Sequence, residues 1–280
     1  MSSGGGIGLS LGGLLGVNLT FAPTGQVDGG ANGSNTLILQ NPGATGSSGT
    51  GTASSATYVN FNNLTINGGT WTLQGPLVSG STTLNGGISQ FDNSATFGTG
   101  AITANGGVIE ATANNLTLAN LLTLGTGGLT VQGANTGLTL GGVLSGTGGL
   151  TKAGTGQLIL NAANTYTGAT TLSGGSVQLG NDLALSSGAV TVTAASTLQA
   201  PGTVSLANTF TLNDNLTTDV AGTLSLNGAI TGNGGLTQSG AGSLTLNGVN
   251  TGFSGATNLG AGTLVPVSYT HLRAHETKAN

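Results

Sequence analysis

Two pairs of residues have types and spacings that could do chemistry. Asp214 and Asp219 are the nearest carboxylates in sequence, separated by Asn215, Leu216, Thr217 and Thr218. Carboxylates held a few ångströms apart share acid and base work, as in a polysaccharide-cleaving site. Such a site needs arginine or lysine beside it to hold an acidic sugar, and none is near. Asp214 and Asp219 therefore read as solvated turn residues, and no catalytic residue is expected. His271 and His275 stand at i, i+4, with Glu276 the one acid beside them. That spacing alone does not make a metal pair, so no metal and no cofactor is expected. A calcium-binding solenoid would repeat an aspartate at every turn, and no aspartate is repeated here. Lys152 is the lone base before residue 267 and reads as a solvated turn lysine. Tyr166 and Phe253 sit at related bends, either as exposed binding aromatics or, the favoured reading, as packing.

The rest of the composition narrows the classes further. Of 280 residues 55 are glycine, only 4% are charged, and there is no cysteine. So few charges exclude a coiled coil, a nucleic-acid binder and a disordered polyelectrolyte. The missing cysteine removes disulfide frameworks and thiol chemistry. Glycine has no strict period of three, so the chain is not collagen. Hydrophobic residues still make up 36% of the chain. They come in short alternating pieces such as Leu138-Thr139-Leu140 and Leu244-Thr245-Leu246, between Gly and Asn turns. Such pieces read as short half-buried strands, and no long stretch has helical periodicity. The class is all-β.

Repetition decides what holds these strands. Leu206, Leu226 and Leu246 recur every 20 residues, as do Leu224, Leu244 and Leu264. Leu118, Leu138 and Leu158 repeat the step, and so do Leu140 and Leu160. An apolar lattice at about 20 residues marks a solenoid whose rungs stack leucine on leucine. Segment 138–165 also aligns without gaps to 224–251, so Lys152 falls on Gln238 and Asn164 on Asn250. Asparagines at bends, such as Asn161 and Asn247, can hydrogen-bond to their copies along the axis. The expected fold is a right-handed parallel β-helix of the pectin-lyase-like kind, with rungs of about 20 residues. A leucine-rich repeat would need helical convex segments, which are absent.

The chain divides into irregular Gly/Ser/Thr-rich coils at 1–60, a β-helix at 61–266 that is clearest over 118–265, and a tail at 267–280. Ile7 to Val17 lacks a preceding positive charge and a clear cleavage site, and reads as a glycine-rich strand pair rather than a signal peptide. In the tail, Val267 to Thr277 resembles one reading frame of an adapter used in sequencing-library preparation. The tail therefore reads as non-native and the chain as truncated there. Without it, one base faces six acids and the net charge is −5.

Residues 146–181 resemble the autotransporter-associated β-strand repeat, also called the passenger-associated transport repeat. The resemblance rests on a Gly-Gly-Leu-Thr-Lys turn at Gly148 to Lys152 and a Gly-x-Gly-x-Leu-x-Leu strand at Gly154 to Leu160. An Asn-Thr-Tyr-Thr-Gly bend at Asn164 to Gly168 and a Thr-Thr strand at Thr170 to Gly175 complete it. In the second copy Gln238 replaces Lys152 and Gly252-Phe253 replaces Tyr166. The resemblance implies the passenger of a type V secreted protein, displayed on the surface of a Gram-negative bacterium. Its implied partner is its own C-terminal outer-membrane barrel, which this sequence does not include. The implied function is a structural stalk for transport and display, with adhesion or self-association, and not an enzyme. The alternatives are a β-helical carbohydrate-active enzyme and an ice-binding solenoid. An ice-binding face needs Thr-x-Thr pairs in register. Thr223, Ser243 and Thr263 stack, but Thr70-Trp71-Thr72, Thr165-Tyr166-Thr167 and Thr191-Val192-Thr193 fall out of register.

Overall fold

Strands of two to five residues follow one another at nearly constant intervals, and from Thr36–Leu39 onward each pairs with a strand one rung away. The computed structural model describes residues 7–10, 17–19, 25–30, 34–40, 49–134 and 137–266. The histidine pair and the rest of the 267–280 tail lie outside the described residues. The chain forms a parallel β-solenoid of about 11 turns, with rungs of about 20 residues.

Three faces make up the coil. A ten-stranded parallel sheet runs from Thr50–Ser54 to Ile230–Gly232. A second sheet holds six parallel strands from Thr36–Leu39 to Leu144–Gly146, extended by Ile7–Ser10 and Val17–Leu19, which pair antiparallel. A third runs parallel from Thr117–Leu118 to Thr257–Leu259. Late in the chain a four-stranded sheet, Thr203–Leu206, Thr223–Leu226, Ser243–Leu246 and Thr263–Pro266, continues the coil. All pairings described from 118 to 266 are parallel.

Alternation of side chains explains why these sequences form these strands. In Gln157–Leu160, Leu158 and Leu160 are fully buried while Gln157 and Ile159 face outward. Stacking at about 4.8 Å turns each inward position into a continuous row. Leu206 pairs with Leu226 and Leu226 with Leu246, all buried, as the 20-residue lattice predicts. Each buried leucine contributes about 2 kcal/mol relative to exposure.

One register differs from expectation. Leu138 stacks on Leu158 and Leu140 on Leu160, but Leu118 stacks on Leu140, not Leu138. Ala104 pairs with Leu124 and Val108 with Thr130. The rung thus gains two residues between Leu124 and Thr130, at the Gly-Thr-Gly-Gly turn, where a corner absorbs them without disturbing the strands.

Candidate functional site

Among the described residues, the two aspartates singled out for chemistry have separate hydrogen-bond partners. Asp214 Oδ1 accepts from the Asn215 amide at 2.6 Å, and Asp219 Oδ2 accepts from Gln199 Nε2 at 3.2 Å. Each carboxylate is thus tied to a different neighbour. Glu110 joins an outward polar ladder, accepting from Gln90 Nε2 and Gln132 Nε2 on the strands either side. Among the described residues no group of three His, Asp or Glu side chains is placed to hold a metal ion.

Lys152 corrects the sequence reading. It is not a solvated turn residue: it is 2% exposed and points into the coil from Leu150–Ala153, stacked between Val131 and Leu172. Its Nζ donates to the carbonyls of Ala153 at 2.7 Å, Gly154 at 3.0 Å and Gly174 at 3.3 Å. Burial pulls its pKa down to about 8. The cause of the misreading is physical: a long stem can bend its amine onto corner carbonyls, which residue type alone does not reveal. Gln238, its copy, is equally buried. It donates to Gly240 O at 2.9 Å and accepts from Thr218 Oγ1 at 2.7 Å.

Tyr166 is packing, fully buried, with its hydroxyl 2.6 Å from Thr170 Oγ1, and burial pushes its pKa up to about 12. Phe253 is partly buried against the same core. Asn247 donates to Asn227 Oδ1 at 2.7 Å, an axial bond of the expected kind. Above Asn161 stands Gly180, so no asparagine copy stacks there.

The structure also brings together threonines that sequence spacing kept apart. On the ten-stranded sheet Thr130, Thr151, Thr171, Thr191, Thr211 and Thr231 stack in one outward row. Thr50 and Thr70 begin the same row, with Ile88 and Val108 between. The Thr70 and Thr191 strands are therefore in register. Unequal rung lengths hid this: 18 residues separate Thr70 from Ile88 and 22 separate Val108 from Thr130. Thr165 and Thr167 lie in a connecting segment.

A groove of about 760 Å³ opens near the start of the regular coil. Its walls are residues 58–62 on one rung and 76–79 on the next, with Gly30 and Ser55 at the edge. Its origin is a mismatch in connector length. Ser54 pairs with Gln74, but Leu64 pairs with Thr82, so the lower connector has two more residues than the upper. The longer segment cannot stack residue on residue and leaves a ledge. Tyr58, Phe61, Leu77 and Val78 are buried beneath it, while Asn60, Pro76 and Ser79 are exposed. Asn60 holds a left-handed φ of 59° and donates through Nδ2 to Asp28 Oδ1 at 2.8 Å. The same oxygen accepts from the Gly30 amide at 2.8 Å, and these two bonds hold the Asp28 carboxyl below its usual range. Sequence reasoning missed this site. The signal available was the unequal spacing of Leu64 and Thr82 against Thr50 and Thr70.

With the geometry in place, comparison with known proteins gives its context. Residues 150–179 and 236–265 match the family described as passenger-associated-transport-repeat. The chain is 39% identical over 121 residues to the adhesin BmaC autotransporter of Brucella suis biovar 1 (strain 1330). That match covers 42% of this chain and 4% of the adhesin. No solved structure matches. The two repeats and the adhesin homology indicate a segment of an autotransporter passenger.

Proposed function

We propose that the chain is a non-enzymatic stalk of a surface-displayed passenger, which supports transport and display and carries adhesive or self-associating surfaces. It is displayed on a Gram-negative cell after passing through a C-terminal outer-membrane barrel. The coil winds right-handed, as parallel crossovers nearly always do. The observation that carries this reading is the place of the two matched repeats in one unbroken parallel coil. Residues 150–179 hold two strands of the ten-stranded sheet and two of the third, and residues 236–265 hold two strands of the third sheet and, apart from the last residue of Thr263–Pro266, two of the four-stranded sheet. A rung of this kind touches only its neighbours, so the chain can fold progressively as it emerges.

The test is to fuse the full chain upstream of a heterologous autotransporter barrel in a Gram-negative host. Surface exposure is read by added protease on intact cells. Display should be efficient, and deleting 236–265 should lower it. Display that is unaffected by removing both repeats would count against a transport role. Adhesion is read separately, as binding of the displaying cells to host cells and to each other.

The in-register threonine row supplies one file of an ice-binding face, its second positions after Thr130, Thr151 and Thr171 being Gln132, Ala153 and Ser173 rather than threonine, and it is the observation behind one second reading. Thermal hysteresis of the purified chain, lost on Thr171→Tyr, would support it, and freezing behaviour equal to that of a control protein would remove it.

A further inference from the structure

We propose that the groove between residues 58–62 and 76–79 is a binding site for a neutral oligosaccharide of two or three sugar units. The proposal concerns the isolated chain and does not depend on whether it is displayed on a cell. Three observations carry it.

The first is size and shape. A groove of about 760 Å³ falls in the range of small-ligand sites, about 300–1,000 Å³. The connector mismatch builds it into the backbone, so it does not depend on a side chain swinging aside.

The second is chemistry. The floor is apolar and buried, made by Tyr58, Phe61, Leu77 and Val78. The rim carries neutral polar groups, Asn60, Asn62, Ser55 and Ser79, and among the described residues no charged one lines the groove. A sugar ring has the matching character: C–H faces for the floor and hydroxyls for amides and hydroxyls at the rim. Among the described residues an anionic ligand would find no counter-charge there. The neighbouring Asp28, whose Oδ1 accepts from Gly30 and Asn60, is an anion and repels an anionic ligand further.

The third is preorganisation. Asn60 holds its left-handed backbone without being glycine, a conformation that costs energy for most side chains. Its Nδ2 is fixed on Asp28, which sets the orientation of the whole carboxamide on the groove wall. Asn62 Nδ2 is likewise 3.4 Å from Ser79 Oγ, so the two walls are tied together at the rim.

The experiment titrates the purified full chain with maltotriose, cellotriose and N,N′,N″-triacetylchitotriose by calorimetry and saturation-transfer NMR. Trigalacturonic acid serves as the anionic control. At least one neutral trisaccharide should bind saturably, and the anionic one should not. Asn60→Gly keeps the backbone compatible with positive φ and removes the carboxamide; it should weaken binding about tenfold or more with the melting temperature little changed. Ser79→Trp, at an exposed rim position, should fill the groove and abolish binding. The proposal is overturned by failure of all three neutral trisaccharides to bind, by equal affinity for the anionic one, or by binding that survives in both folded variants.

Discussion

Asn164 and Asn250 make the same hydrogen bond one repeat apart. Asn164 Oδ1 accepts from the Leu144 amide at 2.9 Å, and Asn250 Oδ1 accepts from the Ile230 amide at 2.7 Å. In neighbouring rungs a backbone carbonyl does this work: Ile102 donates to Leu121 O and Leu122 to Val143 O. The asparagine side chain replaces that carbonyl where the corner turns away. Asn164 also donates through Nδ2 to Ala184 O at 2.7 Å, so it joins three successive rungs.

Replacing Asn164 by alanine orphans a buried amide and a buried carbonyl at once. Each unsatisfied group costs about 1–3 kcal/mol. Urea unfolding of Asn164→Ala should show a loss of that order. Asn250→Ala should lose less, because Asn250 is only half-buried. Equal losses would show that burial does not set the cost at these corners.

Lys152 sets a pH dependence with a definite sign. Its folded pKa of about 8 lies below the 10.5 of an ordinary lysine. Between those values the unfolded chain binds more protons, so stability rises with pH across this window. Below about pH 8 both states are protonated and the desolvation penalty is fully present. Lys152→Gln installs the side chain that already occupies the copy at Gln238. It should raise the melting temperature by a few degrees at pH 7 and flatten the rise from pH 8 to 10. Thermal melts at three pH values measure both effects. A lower melting temperature at pH 7 would show that the three carbonyl contacts outweigh the cost of burying the charge.

At higher pH the sign reverses through Tyr166. Its folded pKa of about 12 exceeds the ordinary 10.0. Between these values the folded chain keeps a proton that the unfolded chain has lost, so stability falls as pH rises. Tyr166→Phe should lose about 1 kcal/mol at neutral pH with the Thr170 hydrogen bond. It should also be less sensitive between pH 10 and 12. A variant that loses stability as steeply as the parent would move the effect to another group.

How much of this was legible depended on whether residue type or residue spacing carried the signal. Stacked leucines were legible because a row needs only an apolar residue at a fixed interval, as at Leu206, Leu226 and Leu246. The Leu118 register was not, because the Gly-Thr-Gly-Gly corner adds two residues that no apolar position marks. The same unevenness hid the threonine row and the groove, both of which come from corner lengths. Lys152 was misread because its charge argued for solvent, while the determining feature was the parity of Leu150–Ala153, which turns Leu150 and Lys152 inward together. Asn164 was visible as a repeated letter, but its bond to a rung 20 residues away was not.

Gly232 tests the corner geometry. It has a φ of +101°, as does Gly146 at the matching place in the other repeat. A Cβ at Gly232 would lie 2.2 Å from Leu212 O, a backbone atom of the rung below. Gly232→Ala therefore meets both conformational strain and a backbone clash. It should destabilise by about 2 kcal/mol or more. Gly202, with nothing near its Cβ position, is the control, and Gly202→Ala should be close to neutral. Denaturant midpoints of the two variants give the comparison.

Leu226→Ala tests whether the coil behaves as a row of coupled rungs. Leu226 is fully buried between Leu206 and Leu246. Removing its side chain should cost about 2–5 kcal/mol through lost burial and the cavity left behind. Leu264 is only partly buried, so Leu264→Ala should cost less. Each rung contacts only its neighbours, so the weakening should stay local. Native-state hydrogen exchange of Leu226→Ala should show lowered protection in Thr203–Leu206, Thr223–Leu226 and Ser243–Leu246. Amides of Asn63–Ile66 and Thr82–Leu84, many rungs away, should keep theirs. Uniform loss along the chain would mean that all rungs open together. A coil of that kind could not gain stability one rung at a time while emerging from a pore, and the progressive-folding part of the transport reading would fall with it.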